Sequence, residues 1–212
     1  MTEEAQQIAN GDWFVHAYFG VGQVKGQEVK TIGGQDQTYY EIETSAITLW
    51  LPHDQMDGQK IRPLTNHVKF QQVIDLLKRP PKNMATKADK RKLRIARVKS
   101  ANTVQDTARL VRDLWARQRA EGQLYDWERQ AWRDFSAILI QEWAISQSIS
   151  PAEARQQMAS NLRKEQSTVA DETAGESAAN KKRADSAKTR SLLEAVTEDE
   201  QKWAAWLIEA AG

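Results

Sequence analysis

Between residues 10 and 64, apolar and polar positions fall in short runs broken by turn residues, the pattern of β-strands. The runs are Asp12–His16, Gly20–Val24, Glu28–Ile32, Thr38–Glu43 and Ile47–Leu51, each rich in β-branched or aromatic residues. Gly33-Gly34-Gln35-Asp36 predicts a hairpin, because glycine reaches positive φ without a steric penalty. Pro52 lacks an N–H, so it ends the last core strand or places it at a sheet edge. Five strands within about 50 residues predict a small, strongly bent sheet or barrel.

From Asn66 onward the period lengthens to that of helices. Val68, Val73, Leu76 and Leu77 suit a short helix stopped by Pro80-Pro81. Residues 86–99 predict a second, basic helix, with Leu93, Ile95 and Val98 on a narrow apolar side. Thr103 is a candidate N-cap for a third, with Val104, Ala108, Val111, Leu114 and Trp115 on one face and Gly122 at its close. A fourth runs over 126–146 with a core stripe of Trp132, Phe135, Leu139 and Trp143. Ser150-Pro151, a cap followed by proline at the first helical position, starts a fifth. Residues 165–190 have almost nothing to bury and read as a linker or a weak solvated helix. Thr197-Glu198-Asp199-Glu200 is a capping box that opens an amphipathic segment with Trp203, Trp206, Leu207 and Ala210.

The fold class is therefore α+β. A β-rich module over residues 1–65 precedes an all-α domain over 66–163, a polar linker over 164–190 and a short amphipathic helix over 191–212.

Composition narrows the chemistry. The chain has no cysteine, which excludes disulfides, thiolate zinc sites and cysteine nucleophiles. Its three histidines, His16, His53 and His67, lack metal-ligand spacing. Gly20-Val21-Gly22 lacks the rest of a dinucleotide fingerprint and precedes a strand. The acids on the helices mark no catalytic pair and read as salt-bridged surface. No catalytic residue, metal or cofactor is expected, and the chain is not read as an enzyme. Met1–Ala5 is acidic and polar, unlike a secretory signal, and no apolar run is long enough to span a membrane, so a cytoplasmic monomer is expected.

Charge adds a sharper feature. The net charge is +1, but residues 78–99 hold ten Lys or Arg and a single Asp. Lys87, Lys90, Arg91, Arg94 and Arg97 recur every three or four residues, so helical spacing collects several on one face. Lys82 and Met84 precede them, and Lys92 and Lys99 flank the face. Such a surface can neutralise roughly three to six phosphates with steep salt dependence. A merely solvated helix, or one that binds RNA or an acidic protein, fits the same run.

The ordered motifs Gly11-Asp12-Trp13-Phe14-Val15-His16, Gly20-Val21-Gly22-Gln23-Val24, Tyr39-Tyr40-Glu41-Ile42 and Leu49-Trp50-Leu51-Pro52 resemble the opening of CarD-type transcription regulators. The resemblance resumes at Val111-Arg112-Asp113-Leu114-Trp115 and at Leu139–Ala144, and covers roughly residues 10–147. It implies a small Tudor- or SH3-like N-terminal barrel that binds the RNA polymerase β subunit. It also implies C-terminal helices that touch promoter DNA near the −10 element and stabilise the open complex. The polymerase contacts map onto Lys30, Ile32 and Trp50, the last where arginine is common in the family. The DNA contacts expected of the basic segment, read from its charge and spacing, are Lys82, Met84, Lys87, Lys90, Arg91, Arg94 and Arg97.

The family's tryptophan wedge is missing. Its matching position lies near Ala88, and no aromatic residue occurs between Gln71 and Leu114. Met84 is a candidate replacement. Without a wedge, the chain also reads as a polymerase-binding adaptor or competitor, or as a Tudor-like adaptor for RNA or protein. The helix with Trp203 and Trp206 could dock in cis, cap the DNA face or bind a protein partner.

Overall fold

A computed structural model describes residues 9–32, 34–45, 47–56 and 60–174. The polar stretch beyond residue 174 and the amphipathic segment with Trp203 and Trp206 lie outside them. The N-terminal module is a five-stranded antiparallel sheet: β1 (Trp13–His16), β2 (Gly20–Ile32), β3 (Gln35–Thr44), β4 (Thr48–Pro52) and β5 (Ile61–Pro63). The strand order is β4-β3-β2-β1-β5. Pro52 closes β4, an edge strand where the missing N–H costs no ladder bond. The hairpin reverses between Ile32 and Gln35, which pair directly, and Gly34 adopts φ +81°.

Two strand expectations change. Gly20–Val24 and Glu28–Ile32 are one thirteen-residue strand, because the apparent break at Lys25-Gly26 is a β-bulge. A bulge absorbs one extra residue and bends the strand without ending it. The fifth strand is instead β5, which pairs with β1 and is too short to show periodicity. Gly22 has a packing reason: a Cβ there would lie 2.6 Å from Ile42 Cγ2. One face of the sheet buries Val24, Tyr40, Ile42, Met56 and Ile61, with Phe14, Leu49 and Leu51 against them.

The helices start and stop on local signals. They are α1 (His67–Leu77), α2 (Ala88–Ala101), α3 (Val104–Glu121), α4 (Asp126–Gln147) and α5 (Pro151–Ala174). The Asn66 side chain accepts from Lys69 N at 2.9 Å and Thr103 Oγ1 from Asp106 N at 3.2 Å. Ser150 Oγ accepts from Glu153 N at 3.1 Å, and Gly122 ends α3 at φ +77°. Phe70, Leu77, Leu110, Leu114, Leu139 and Trp143 are fully buried in the helical core. Trp115 is half-buried and stacks on Trp132, while Val68 is 72% exposed because Phe70 and Ile74 occupy the inner face of α1. Helix α5 continues through Ala174, so the first part of the segment read as linker or weak helix is helical.

The sheet, α1–α4 and α5 as far as Ser167 belong to one compact unit. Arg62 on β5 donates to both carboxylate oxygens of Glu142 on α4, at 2.5 and 2.6 Å, and Thr65 N donates to Glu142 at 3.1 Å. Asn102, at φ 46° in the α2–α3 corner, donates to the carbonyls of Val15 (3.1 Å) and Lys60 (3.0 Å). Gln141 Nε2 donates to Ser45 Oγ at 2.9 Å. Three separate polar ties therefore hold the helices against the sheet.

The turn after β1 is built on a neutral imidazole. His16 Nδ1 accepts from Tyr18 N at 3.0 Å and from Phe19 N at 3.3 Å, which requires an unprotonated Nδ1. Burial first, then repulsion from Lys60, lowers its pKa below the ordinary 6.5. The folded state thus binds fewer protons than the unfolded chain. This contribution to stability is complete above about pH 6.5 and is lost as pH falls toward the depressed folded value. Urea midpoints measured at pH 7.5 and 5.5 should fall on acidification by more in the wild type than in His16→Asn. An equal fall in both proteins would contradict this assignment.

Candidate functional site

The sheet brings together the three positions matched to polymerase contact. Lys30 pairs with Gln37, Ile32 with Gln35 and Glu41 with Trp50, so strand alternation puts Lys30, Tyr39 and Trp50 on the face opposite the core. The Lys30 ammonium sits 3.6 Å from the centre of the Trp50 ring and 5.8 Å from that of Tyr39. Glu28 stands 3.6 Å from the same ammonium. Trp50 is 40% exposed, which settles its place on the outer face rather than in the core. A lysine held over an indole beside a second ring is a semi-rigid, amphipathic surface suited to a protein partner.

The basic helix is arranged differently from its expected face. Arg91 is only 2% exposed. Its Nε donates to Glu128 at 2.7 Å, and its Nη1 donates to the carbonyls of Ala85 (2.9 Å) and Thr86 (2.5 Å). Arg94 is half-buried, with Nη2 on Asp113 at 2.5 Å and Nη1 on Met84 Sδ at 2.8 Å. The stripe formed by Arg91, Arg94 and Val98 is thus the inner side of α2. Arg91, expected among the DNA contacts, is instead buried as the partner of Glu128, and Arg94 is largely committed to Asp113. Met84 is half-buried against Arg94, a constrained position for a wedge. From Lys82 to the end of α2, the exposed cations are Lys82, Lys87, Lys90, Lys92 and Arg97.

The acids that hold this arrangement are buried, not surface charges. Asp113 accepts from Arg94, from Arg112 and from Lys82 N, the last at 2.9 Å. Arg112 also donates to the Leu76 carbonyl at 3.2 Å, which fastens α1 to α3. Glu128 and Glu142 are fully buried. A signal for them existed: residues 128, 132, 135, 139 and 142 follow one helical stripe, and two members of that core stripe are acids.

Among the described residues, no group of three His, Cys, Asp or Glu could hold a metal ion, and no helix is long and apolar enough to cross a membrane. The site consists of two surfaces, an aromatic and cationic sheet face and a lysine-rich helical edge.

Two family models match the chain in succession. That of the CarD-like/TRCF RID domain, a non-catalytic interaction module, matches residues 8–65. That of the CarD C-terminal domain matches residues 72–159. With the sheet and the helices matched in the family's own order, the chain belongs to the CarD-type family of RNA polymerase-interacting transcription factors.

Proposed function

We propose that this protein binds the β subunit of RNA polymerase through the outer face of its sheet and contacts promoter DNA near the −10 element with its helical edge. By doing both it modulates the stability of the open complex. The observation that carries the reading is the Lys30–Trp50 pair, with Trp50 exposed and Lys30 half-buried beside Tyr39, on the face of the sheet opposite the Val24–Tyr40–Ile42 cluster. The exposed Lys90 and Lys92 of α2 support the second contact, because solvent-facing cations can meet phosphate.

The test is binding of the full chain to a polymerase β-lobe fragment, followed by open-complex lifetime on a promoter. Trp50→Ala should weaken β binding by about thirtyfold or more, the scale of an interface anchor. Lys30→Glu should weaken it as well. A wild-type chain that does not bind the fragment overturns the reading.

The absence of an aromatic between Gln71 and Leu114 favours a second reading, a polymerase-binding competitor that leaves the bubble alone. Under that reading β binding is intact and open-complex lifetime is unchanged by the protein.

A further inference from the structure

An aromatic pair stands beside the basic segment, supplied from elsewhere in the chain. Tyr125 and Trp127, at the start of α4, have ring centres 6.1 Å apart and planes inclined by 12°. Tyr125 is 59% exposed and Trp127 half-buried. The Arg91 guanidinium lies 5.6 Å from the Tyr125 ring and 5.7 Å from the Trp127 ring. That guanidinium is also bonded to the carbonyls of Ala85 and Thr86. A single buried side chain therefore fixes the aromatic pair next to the very segment that has no aromatic of its own. Lys92, exposed, reaches within 5.6 Å of the Trp127 ring centre from the next position of α2.

We propose that Tyr125 and Trp127 form a stacking platform for the bases of DNA at a junction between paired and unpaired strands, with Lys87, Lys90 and Lys92 on the adjoining phosphates. This deepens the promoter-binding reading above and rests on it. Bases stack on aromatic faces whatever their sequence, and cations beside the rings hold the backbone. Charge favours nucleic acid over an acidic or apolar peptide. The flanking stretch of α2 carries Lys87, Lys90 and Lys92 with only Asp89 against them, and Asp126 on α4 is paired with Arg129. Shielding Arg91 accounts for the half-buried Trp127 but not for a tyrosine ring left open to solvent.

The experiment titrates the full-length protein onto two labelled oligonucleotides, one fully paired and one with a short central bubble, and reads fluorescence anisotropy at several salt concentrations. The wild type should prefer the bubble. Tyr125→Ala, at an exposed position, should lose about tenfold in bubble affinity, as should Trp127→Leu. Affinity for the paired duplex and the salt slope should be unchanged in both. Lys90→Ala with Lys92→Ala should weaken both DNAs and reduce the salt slope by about one per charge removed. Equal wild-type binding to the two DNAs, or bubble affinity within twofold of wild type in Tyr125→Ala, overturns the platform. If the lysine variant still loses affinity in that case, the promoter-binding reading stands without it. A wild type that binds neither DNA removes both.

Discussion

Arg91→Ala is expected to cost about 3–5 kcal/mol of folding stability, because it leaves a buried carboxylate without its cation. Glu128 is fully buried, and its Oε1 takes the Arg91 Nε at 2.7 Å. Arg117 stands 3.3 Å from the same oxygen but is not aligned to hydrogen-bond with it, so it offsets only part of the loss. The variant also strips the carbonyls of Ala85 and Thr86 of their donor, which loosens the chain entering α2. For a chain of this size the loss corresponds to a fall in thermal midpoint of about 10 °C. The contrast is Lys90→Ala, one residue away and exposed. It should change stability by less than about 0.5 kcal/mol. Thermal melts of the two variants decide the matter. Wild-type stability in Arg91→Ala would mean that the guanidinium is not the internal partner its geometry makes it.

That pair of neighbours shows where reading residues in order stops. Helix boundaries were legible because their signals are local: Thr103, Gly122 and Ser150-Pro151 act within one turn of themselves. Which side of a charged helix faces inward is not local. Arg91 and Arg94 share one spacing with Lys87 and Lys90, and only the position of Glu128 and Asp113 on other helices turns the arginines inward. Strand β2 misled for a related reason. A glycine inside a strand looks like an end until the partner strand shows a bulge. The outer sheet face was partly legible. The family resemblance named Lys30, Ile32 and Trp50, but the common side of Lys30 and Trp50 follows from the pairing of β2 with β3 and of β3 with β4. The Tyr125–Trp127 pair lies more than thirty positions from the Arg91 and Lys92 it adjoins, so no window along the chain would have joined them.

The second large effect concerns the tie between sheet and helices. Glu142→Ala is expected to destabilise the protein by about 3–5 kcal/mol, since it abandons the half-enclosed Arg62 guanidinium and the Thr65 N–H together. Arg62→Met combined with Glu142→Met should recover most of that loss, because two apolar side chains of similar length carry no desolvated charge. Recovery should fall short by about 1–3 kcal/mol, the cost of the Thr65 N–H left without an acceptor. Urea denaturation of the two single variants and the double variant gives the coupling directly; additive losses would show that the two groups do not act as a pair. Function should follow stability. Asn102 still bonds the carbonyls of Val15 and Lys60, and Gln141 still bonds Ser45, so the double variant keeps the sheet and α4 in register. On the proposed function, open-complex lifetime should therefore respond to the double variant as it does to the wild type. A double variant that is stable and binds the β-lobe, yet leaves promoter complexes unaffected, would show instead that the Arg62–Glu142 bond itself aims the helical edge at DNA.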